Sequence, residues 1–315
     1  MATAFTPSRE SPITFGPRSK IISFQGLLEM IDAERQALKE TLSTEGIVLI
    51  RGFDLHSVTE FEKAVKRFSQ SELFDYSGGV SPRAAISGRV YNSTEYPPSL
   101  TLNLHNELSY STIFPRYVYF LCIVPPEHRG ETTYGDSRRI LGRLPVKIVE
   151  EFRRRGVCYE RNLQPDPASP HSWQAAFKTD DKASVEAIRQ RLEIDLEWTS
   201  NGAARLIQTG PATITHPETG EEVWFNQAEG FHTSSLDAES HQFFLDNDLD
   251  FRLKSRFADG GDIPEAYLEQ IRNAVNAETK AHRWQAGDIL ILDNILTAHG
   301  RRPFSGRRQI AVAMT

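Results

Sequence analysis

The C-terminal stretch reads DILILDN at residues 288–294, TAHGRRPF at 297–304 and GRRQIAVAM at 306–314. The first and last of these runs are short and apolar, which predicts two buried strands. His299 follows the first strand closely, so we expect this histidine near the core rather than on the surface. The last strand begins with arginines, and an arginine that enters an apolar context needs an anionic partner.

A second histidine lies upstream in the extended stretch LHNEL at residues 104–108. Alternate residues of a strand project from one face, so His105 and Glu107 can bind one metal ion together. The alternative is a buried histidine–glutamate pair that satisfies itself by a hydrogen bond. The pattern His-x-Asp/Glu is weak alone, since roughly one occurrence is expected by chance in this composition. His299 favours the metal site because it adds a third ligand near the core.

The same pattern occurs once more, at His216 and Glu218. Here the segment HPETG at residues 216–220 contains a proline and a glycine, which are typical of a tight turn between two strands. We therefore predict that His216 is a surface turn residue and not a metal ligand.

Two histidines and one carboxylate suit one face of an octahedral Fe(II) ion and leave three adjacent positions for 2-oxoglutarate and dioxygen. Zinc would accept the same three residues. The far carboxylate of the keto acid then needs an arginine, whose planar guanidinium binds a carboxylate through two parallel contacts. We assign this role to Arg308 and place Arg307 on the opposite, solvated face. Arg301 and Arg302 are expected to be surface charges in a turn.

The composition indicates a globular protein of the cytoplasm. The chain has 315 residues and a net charge of −6, which argues against a general nucleic-acid-binding surface. Cys122 and Cys158 are too few for a disulfide framework, and no apolar run reaches the roughly 18 residues that span a bilayer. We expect one domain over residues 1–315 with an extended N-terminal arm at 1–20.

Hydrophobic periodicity predicts a mainly β core with helical insertions around residues 144–200 and 246–279. The segment 74–102, rich in Gly, Ser, Pro and Tyr, is expected to be a long loop that covers a site. The individual strands are expected at 46–53, at 115–125 and as a pair within 211–226, and the helices at 31–43, 58–68, 144–155, 181–192, 246–256 and 264–279.

Further motifs accompany the two histidines. They are SPR at 81–83, YNSTEYP at 91–97, LHNELSY at 104–110, GET at 130–132, DSR at 136–138, SWQ at 172–174, HPETG at 216–220, WFNQ at 224–227 and the block at 299–314. Together they resemble the taurine dioxygenase/clavaminate synthase superfamily over about residues 40–315. Within it, the branch of syringomycin-type hydroxylases is the most similar.

The resemblance implies a double-stranded β-helix (jelly roll) core and an Fe(II)- and 2-oxoglutarate-dependent dioxygenase. His105, Glu107 and His299 are implied as iron ligands, and Arg308 and Thr132 as ligands of the C5 carboxylate of 2-oxoglutarate. The implied substrate is an amino acid, a derivative of one, or an aminoacyl group tethered to a carrier protein, in natural-product biosynthesis. The implied reaction is hydroxylation, although the same machinery also catalyses desaturation, cyclisation and epimerisation. Related halogenases have a small residue in place of the carboxylate, so Glu107 favours oxygen transfer.

Six residues beside these motifs are candidate substrate contacts. The two charged ones either bind the charged ends of an amino acid or form a salt bridge within their loop. The asparagine and the glutamine either line the substrate pocket or satisfy backbone groups. The six are Arg83, Glu95, Ser109, Tyr110, Asn226 and Gln227.

Two rival functions remain open from the residues alone. A zinc-dependent hydrolase could use the same three ligands but would leave Arg308 without a role. A non-catalytic jelly-roll binding protein would need neither the three ligands nor the arginine.

Overall fold

The computed structural model describes residues 11–17, 21–55, 57–76, 79, 83–93, 96–236, 242 and 251–315. Two β-sheets face each other across a large apolar cluster, and they form the double-stranded β-helix core that the motifs implied. The larger sheet has the strand order β1 (Ile13–Phe15), β3 (Ile47–Ile50), β18 (Ile289–Asp293), β8 (Tyr117–Val124), β21 (Gln309–Met314), β6 (Val90–Asn92) and β5 (Ala85–Ser87). The smaller sheet has the order β17 (Lys280–His282), β10 (Thr132–Asp136), β19 (Thr297–Arg301) and β7 (Leu102–His105).

The central strands of the larger sheet are buried on both faces, which explains why β3, β18 and β21 are predominantly apolar. On β21, Ile310, Val312 and Met314 join the cluster between the two sheets. Ala311 and Ala313 belong to a second cluster on the outer face. Because side chains alternate along a strand, such a strand cannot carry a polar residue without burying it.

Two helices cover the outer face of the larger sheet, α1 (Phe24–Glu45) and α2 (Val58–Ser69). Helix α2 begins at a capping box, in which the Ser57 hydroxyl accepts from the Glu60 backbone and the Glu60 carboxylate accepts from the Ser57 backbone. Helix α1 ends at Gly46, whose φ of +74° is left-handed; a Cβ there would lie 2.2 Å from Thr297 Oγ1. Glycine is therefore required where α1 ends against β19.

A third sheet occupies part of the region in which helical insertions were predicted. Strands β12 (Asp195–Trp198), β13 (Ala204–Gly210), β11 (Val157–Leu163) and β16 (Leu253–Phe257) form a four-stranded antiparallel sheet. The prediction of helix at 246–256 is wrong over 253–256, which lie in β16, and 246–250 lie outside the described residues. Strand β16 was missed because β11, nearly a hundred residues away in sequence, supplies its pairing partner.

The remaining elements connect the three sheets. The predicted loop at 74–102 is only partly irregular, because β5 and β6 extend the larger sheet there. None of the helices among the described residues combines the length and apolar character needed to cross a membrane. The other elements are β2 (Ile22–Ser23), β4 (Phe53–Asp54), β9 (His128–Arg129), α3 (Ser137–Arg143), α4 (Val146–Arg155), α5 (Trp173–Phe177), α6 (Lys182–Arg191), β14 (Thr213–Thr215), β15 (Glu222–Trp224), α7 (Ala228–Phe231), a 3-10 helix (Thr233–Ser235), α8 (Glu265–Glu278) and β20 (Phe304–Ser305).

Two predicted surface residues are buried. His216 does lie in the turn between β14 and β15, but its side chain is fully buried against Asp293. Arg301 is 6% exposed, and it donates hydrogen bonds to the backbone oxygens of Tyr96, Pro97 and Leu100. Both residues bind distant segments, which the local sequence could not indicate. Arg302 is exposed, as expected.

The His216 contacts predict a structural role. His216 Nε2 lies 3.0 Å from Asp293 Oδ2, and its Nδ1 accepts from the Thr219 N–H at 2.9 Å. We expect His216→Ala to lower the free energy of unfolding by about 1–3 kcal/mol, because the buried Asp293 carboxylate and the Thr219 N–H each lose a hydrogen bond. Urea denaturation measures this. Glu218→Ala, in the same turn but 57% exposed, should change it by less than about 0.5 kcal/mol. Equal stability of the two variants would contradict the structural role.

Candidate metal centre

Three potential metal ligands converge at the edge of the smaller sheet. His299 on β19 pairs directly with His105 on the neighbouring strand β7, and their ring centroids lie 4.5 Å apart. Glu107 follows two residues after the end of β7. The ligand atoms of the three side chains all lie within 4.8 Å of one another. Among the described residues, this is the one such group of histidine, cysteine and carboxylate side chains.

The donor atoms fit a metal ion. His105 Nδ1 lies 2.9 Å from the Asn103 carbonyl oxygen, which leaves Nε2 as the metal-binding nitrogen. His299 Nε2 is 3.7 Å from Glu107 Oε2, and ligand atoms about 2.1 Å from a metal at right angles are about 3 Å apart. Small side-chain movements therefore bring this set to ligand distance.

Burial keeps both imidazoles in the form that binds metals. The pKa of His299 is held well below 6.5, first by burial and then by the charges of His105 and Arg83. The pKa of His105 is also lowered by burial, against the opposing effect of the Glu107 carboxylate. Neutral imidazole is the metal-binding form, so at neutral pH no proton competes with the ion at either ring.

Asn294 fixes the backbone of Glu107. Its side-chain oxygen accepts from the Glu107 N–H at 2.6 Å, and its amide nitrogen donates to the Glu107 and Pro115 carbonyl oxygens at 3.0 and 2.9 Å. The Asn294 carbonyl in turn accepts from the side chain of Asn106 at 2.7 Å. All of these atoms are buried, so the position of Glu107 is determined by the end of strand β18. Asn294 was not among the predicted site residues, although its position directly after an apolar strand could have indicated a role at the site.

Arg83 contacts the candidate ligand Glu107. Its Nη2 lies 2.6 Å from Glu107 Oε2, and both side chains are almost completely buried. This salt bridge joins Arg83 to a candidate metal ligand and not to a residue of its own loop, which was the predicted alternative to substrate contact. A carboxylate offers about four lone-pair positions, so Glu107 can accept from Arg83 and still bind a metal. Glu95, its predicted counterpart, lies outside the described residues.

Arg308 is partly buried just before β21, and Thr132 is buried in β10. Arg308 donates to the Gly130 carbonyl at 3.1 Å and to Ser93 Oγ at 3.2 Å. No carboxylate in the described part of the chain forms an ion pair with it. Burial, and then the charge of Arg301, lowers its pKa to about 10. Thr132 is buried, and its Oγ1 accepts from Trp284 Nε1 at 3.1 Å.

Cys122 lies close to Arg308 on the neighbouring strand β8. The thiol is buried and free, and it belongs to the apolar cluster between the sheets. Burial raises its pKa to about 12, with a further increase from Asp288 and an opposing effect of Arg308.

A cleft of about 970 Å³ opens beside two of the three ligands, His105 and Glu107. Its wall also includes residues of α7, α8 and the third sheet. Three of the predicted substrate contacts line it, namely Tyr110, Asn226 and Gln227. Tyr110 packs against Phe231, with ring centroids 5.3 Å apart.

The predicted polar contacts are engaged with the backbone. Asn226 donates to the Ala212 carbonyl and accepts from the Ala228 N–H. Gln227 donates to the Asn106 carbonyl at 2.9 Å, and Ser109 Oγ donates to the same oxygen at 3.0 Å. Asn226 and Gln227 thus satisfy backbone groups while also lining the cleft, and Ser109 is absent from its wall.

The chain is similar to known oxygenases over nearly its full length. Residues 5–314 match the family described as "Taurine catabolism dioxygenase TauD, TfdA family". The dapdiamide synthesis protein DdaC of Enterobacter agglomerans is 36% identical over 88% of this chain and 84% of its own length. A clavaminate synthase-like protein of Arabidopsis thaliana is 30% identical over 98% of this chain and 94% of its own.

Solved structures share the fold. The structure of PvcB from Pseudomonas aeruginosa superposes with a TM-score of 0.56 at 16% identity, and covers 99% of this chain and 90% of that one. Family membership settles the choice of metal that the residues alone left open between iron and zinc. It also excludes the non-catalytic binding protein. The chain belongs to the TauD/TfdA family and is a non-haem Fe(II)- and 2-oxoglutarate-dependent dioxygenase.

Proposed function

We propose that His105, Glu107 and His299 bind the catalytic Fe(II), and that Arg308 and Thr132 bind the C5 carboxylate of 2-oxoglutarate. The observation that carries the proposal is the convergence of the three ligands within 4.8 Å, two of which, His105 and Glu107, line a large cleft. Arg308 supports it, because this partly buried guanidinium has only neutral hydrogen-bond acceptors among the described residues. A dicarboxylate that reaches into the core would supply the missing anion.

We further propose that the enzyme hydroxylates an unactivated carbon of an amino acid, an amino-acid derivative or a carrier-tethered aminoacyl group in natural-product biosynthesis. The support comes from relatives. DdaC is named for dapdiamide synthesis, and PvcB is described as belonging to an isonitrile synthetic pathway. Desaturation, cyclisation and epimerisation use the same residues, so product analysis by mass spectrometry has to separate these outcomes.

Each part of the protein then has a defined task. The iron, with 2-oxoglutarate and dioxygen, supplies the oxidising chemistry, and 2-oxoglutarate leaves as succinate and carbon dioxide. Asn294 and Arg83 hold Glu107 at its backbone and its carboxylate. The aromatic residues Tyr110, Trp224 and Phe231 form apolar parts of the cleft wall and limit the access of water to the substrate.

We also propose that residues 1–315 act as one domain in the cytoplasm. One apolar cluster contains Val312 of the two-sheet core together with Tyr159 and Phe257 of the third sheet, which supports a single folding unit. The two buried, free thiols, Cys122 and Cys158, are compatible with a reducing compartment.

The metal assignment predicts the effect of removing either histidine. We expect His105→Ala and His299→Ala to abolish succinate release, because each removes a ligand without opening the apolar core. The charge-transfer band of the anaerobic Fe(II)–2-oxoglutarate complex should vanish in both variants, and circular dichroism should show intact folds. The control is His128→Ala, in the exposed strand β9, which should keep the band and the activity. Retention of both signals in both ligand variants would refute the assignment.

The cosubstrate assignment predicts a selective defect. Arg308→Ala should raise the KM for 2-oxoglutarate about thirtyfold or more, the usual consequence of losing a desolvated charged contact. The matched control is Arg307→Ala, because Arg307 is adjacent in sequence but exposed to solvent. Its KM for 2-oxoglutarate should stay within about twofold of the wild-type value. A large effect at Arg307 and none at Arg308 would move the assignment by one residue.

A further inference from the structure

We propose that Arg252 and His171 form an oxyanion-binding subsite in the cleft wall, and that the substrate therefore carries a carboxylate or a phosphate group. The inference rests on the proposed function, in which this cleft holds the molecule that is oxidised. Both residues line the same cleft as His105 and Glu107.

Arg252 is a partly buried cation that forms no ion pair with any acidic residue in the described part of the chain. Its side-chain hydrogen bond there joins Nη1 to His171 Nδ1 at 3.4 Å. Arg272, which lines the same cleft, differs in this respect, because it pairs with Glu229 at 3.1 Å. A partly desolvated guanidinium with several free N–H donors is well suited to bind an oxyanion.

The backbones of Arg252 and His171 are both held by the end of one strand. Asn162 on β11 donates its backbone N–H to the Arg252 carbonyl at 2.9 Å and its side-chain amide to the Phe251 carbonyl at 2.9 Å. Two residues further, Gln164 donates its N–H to the His171 carbonyl at 3.1 Å. The end of β11 therefore fixes the backbone of both residues, so that a bound anion would meet two preformed donors.

The electrostatic environment supports an anionic ligand. Burial lowers the pKa of Arg252, and the pKa of His171 is lowered by burial and then by the charge of Arg252. Both shifts mean that the described residues around Arg252 and His171 do not fully offset the cost of burying the two cationic forms. An oxyanion between them would offset this cost for both groups.

The subsite differs from the place proposed for 2-oxoglutarate. Arg308 directly precedes β21 of the larger sheet and donates to the Gly130 carbonyl, whereas Arg252 directly precedes β16 of the third sheet. The two arginines can thus be separated by experiment, since Arg252 should affect the substrate and Arg308 the keto acid. The oxyanion has two possible sources, namely the carboxylate of a free substrate or the phosphate of a carrier's pantetheine arm.

The experiment measures binding to the anaerobic Fe(II)–2-oxoglutarate protein by calorimetry. The probes are N-acetyl-L-amino acids with all standard side chains, the matching carboxamides, and 4′-phosphopantetheine. We expect at least one acid, or the phosphate probe, to bind the wild-type protein. A carboxamide should bind at least tenfold more weakly than its acid. Arg252→Gln should weaken binding of the anionic probe about thirtyfold or more, and Arg252→Lys should weaken it less.

Controls separate this proposal from loss of fold or of iron chemistry. Arg256→Gln removes a guanidinium from β16, four residues after Arg252, but one that pairs with Glu160 at 3.3 Å, and it should leave probe binding within twofold. Arg252→Gln should keep the KM for 2-oxoglutarate, measured by succinate release without substrate. Absence of succinate release from the wild-type protein would refute the proposed function instead.

Three results would overturn the subsite. They are equal binding of acids and carboxamides, unchanged binding in Arg252→Gln, and failure of every anionic probe to bind the wild-type protein. Preference for an acid identifies a free substrate, and preference for 4′-phosphopantetheine identifies a carrier-bound one. Loss of either probe in Arg252→Gln supports the subsite.

Discussion

The bonds between the Asn294 side chain and the backbone of Glu107 connect the fold to the candidate metal centre. Asn294 ends β18, a central strand of the larger sheet, whereas Glu107 follows β7 at the edge of the smaller one. These two bonds therefore fix the separation of the sheets at the point where the metal ligands meet. The preceding residue, Asp293, binds His216 at 3.0 Å and Arg116 at 2.8 Å. The neighbouring residues Asp293 and Asn294 therefore anchor the distant turn that contains His216 and the backbone of Glu107.

The sequence predicted those parts of the structure that depend on local patterns. The apolar run at 117–124 and the apolar periodicity at 58–68 are local, and both elements form as expected. The proximity of His105 and His299 could be predicted from the sequence, because each histidine lies in or beside a recognisable strand. The environments of His216 and Arg301 could not be predicted, since their partners are 77 and about 200 residues away. Strands whose partners are remote in sequence, such as β16, were missed for the same reason.

The core and the third sheet divide the work of the site. The two sheets of the core carry the three candidate metal ligands and Arg308, on strands or directly beside them. The third sheet supplies Leu253 to the cleft wall, and Phe251 and Arg252 of that wall directly precede its strand β16. When the residues for oxidation lie on a shared core and other residues of the cleft wall lie on an added sheet, the two sets of residues can vary independently. Relatives with the same core can therefore act on different substrates.

The thiol of Cys122 has a consequence for the durability of the enzyme. An oxygenase exposes its own interior to strong oxidants whenever an oxidant forms and no substrate is oxidised. A thiolate in the core would be the most readily oxidised group there, and it would also compete for iron. With its pKa raised to about 12, Cys122 stays protonated at neutral pH and behaves as a small apolar side chain. Burial thus protects the protein against damage by its own reaction.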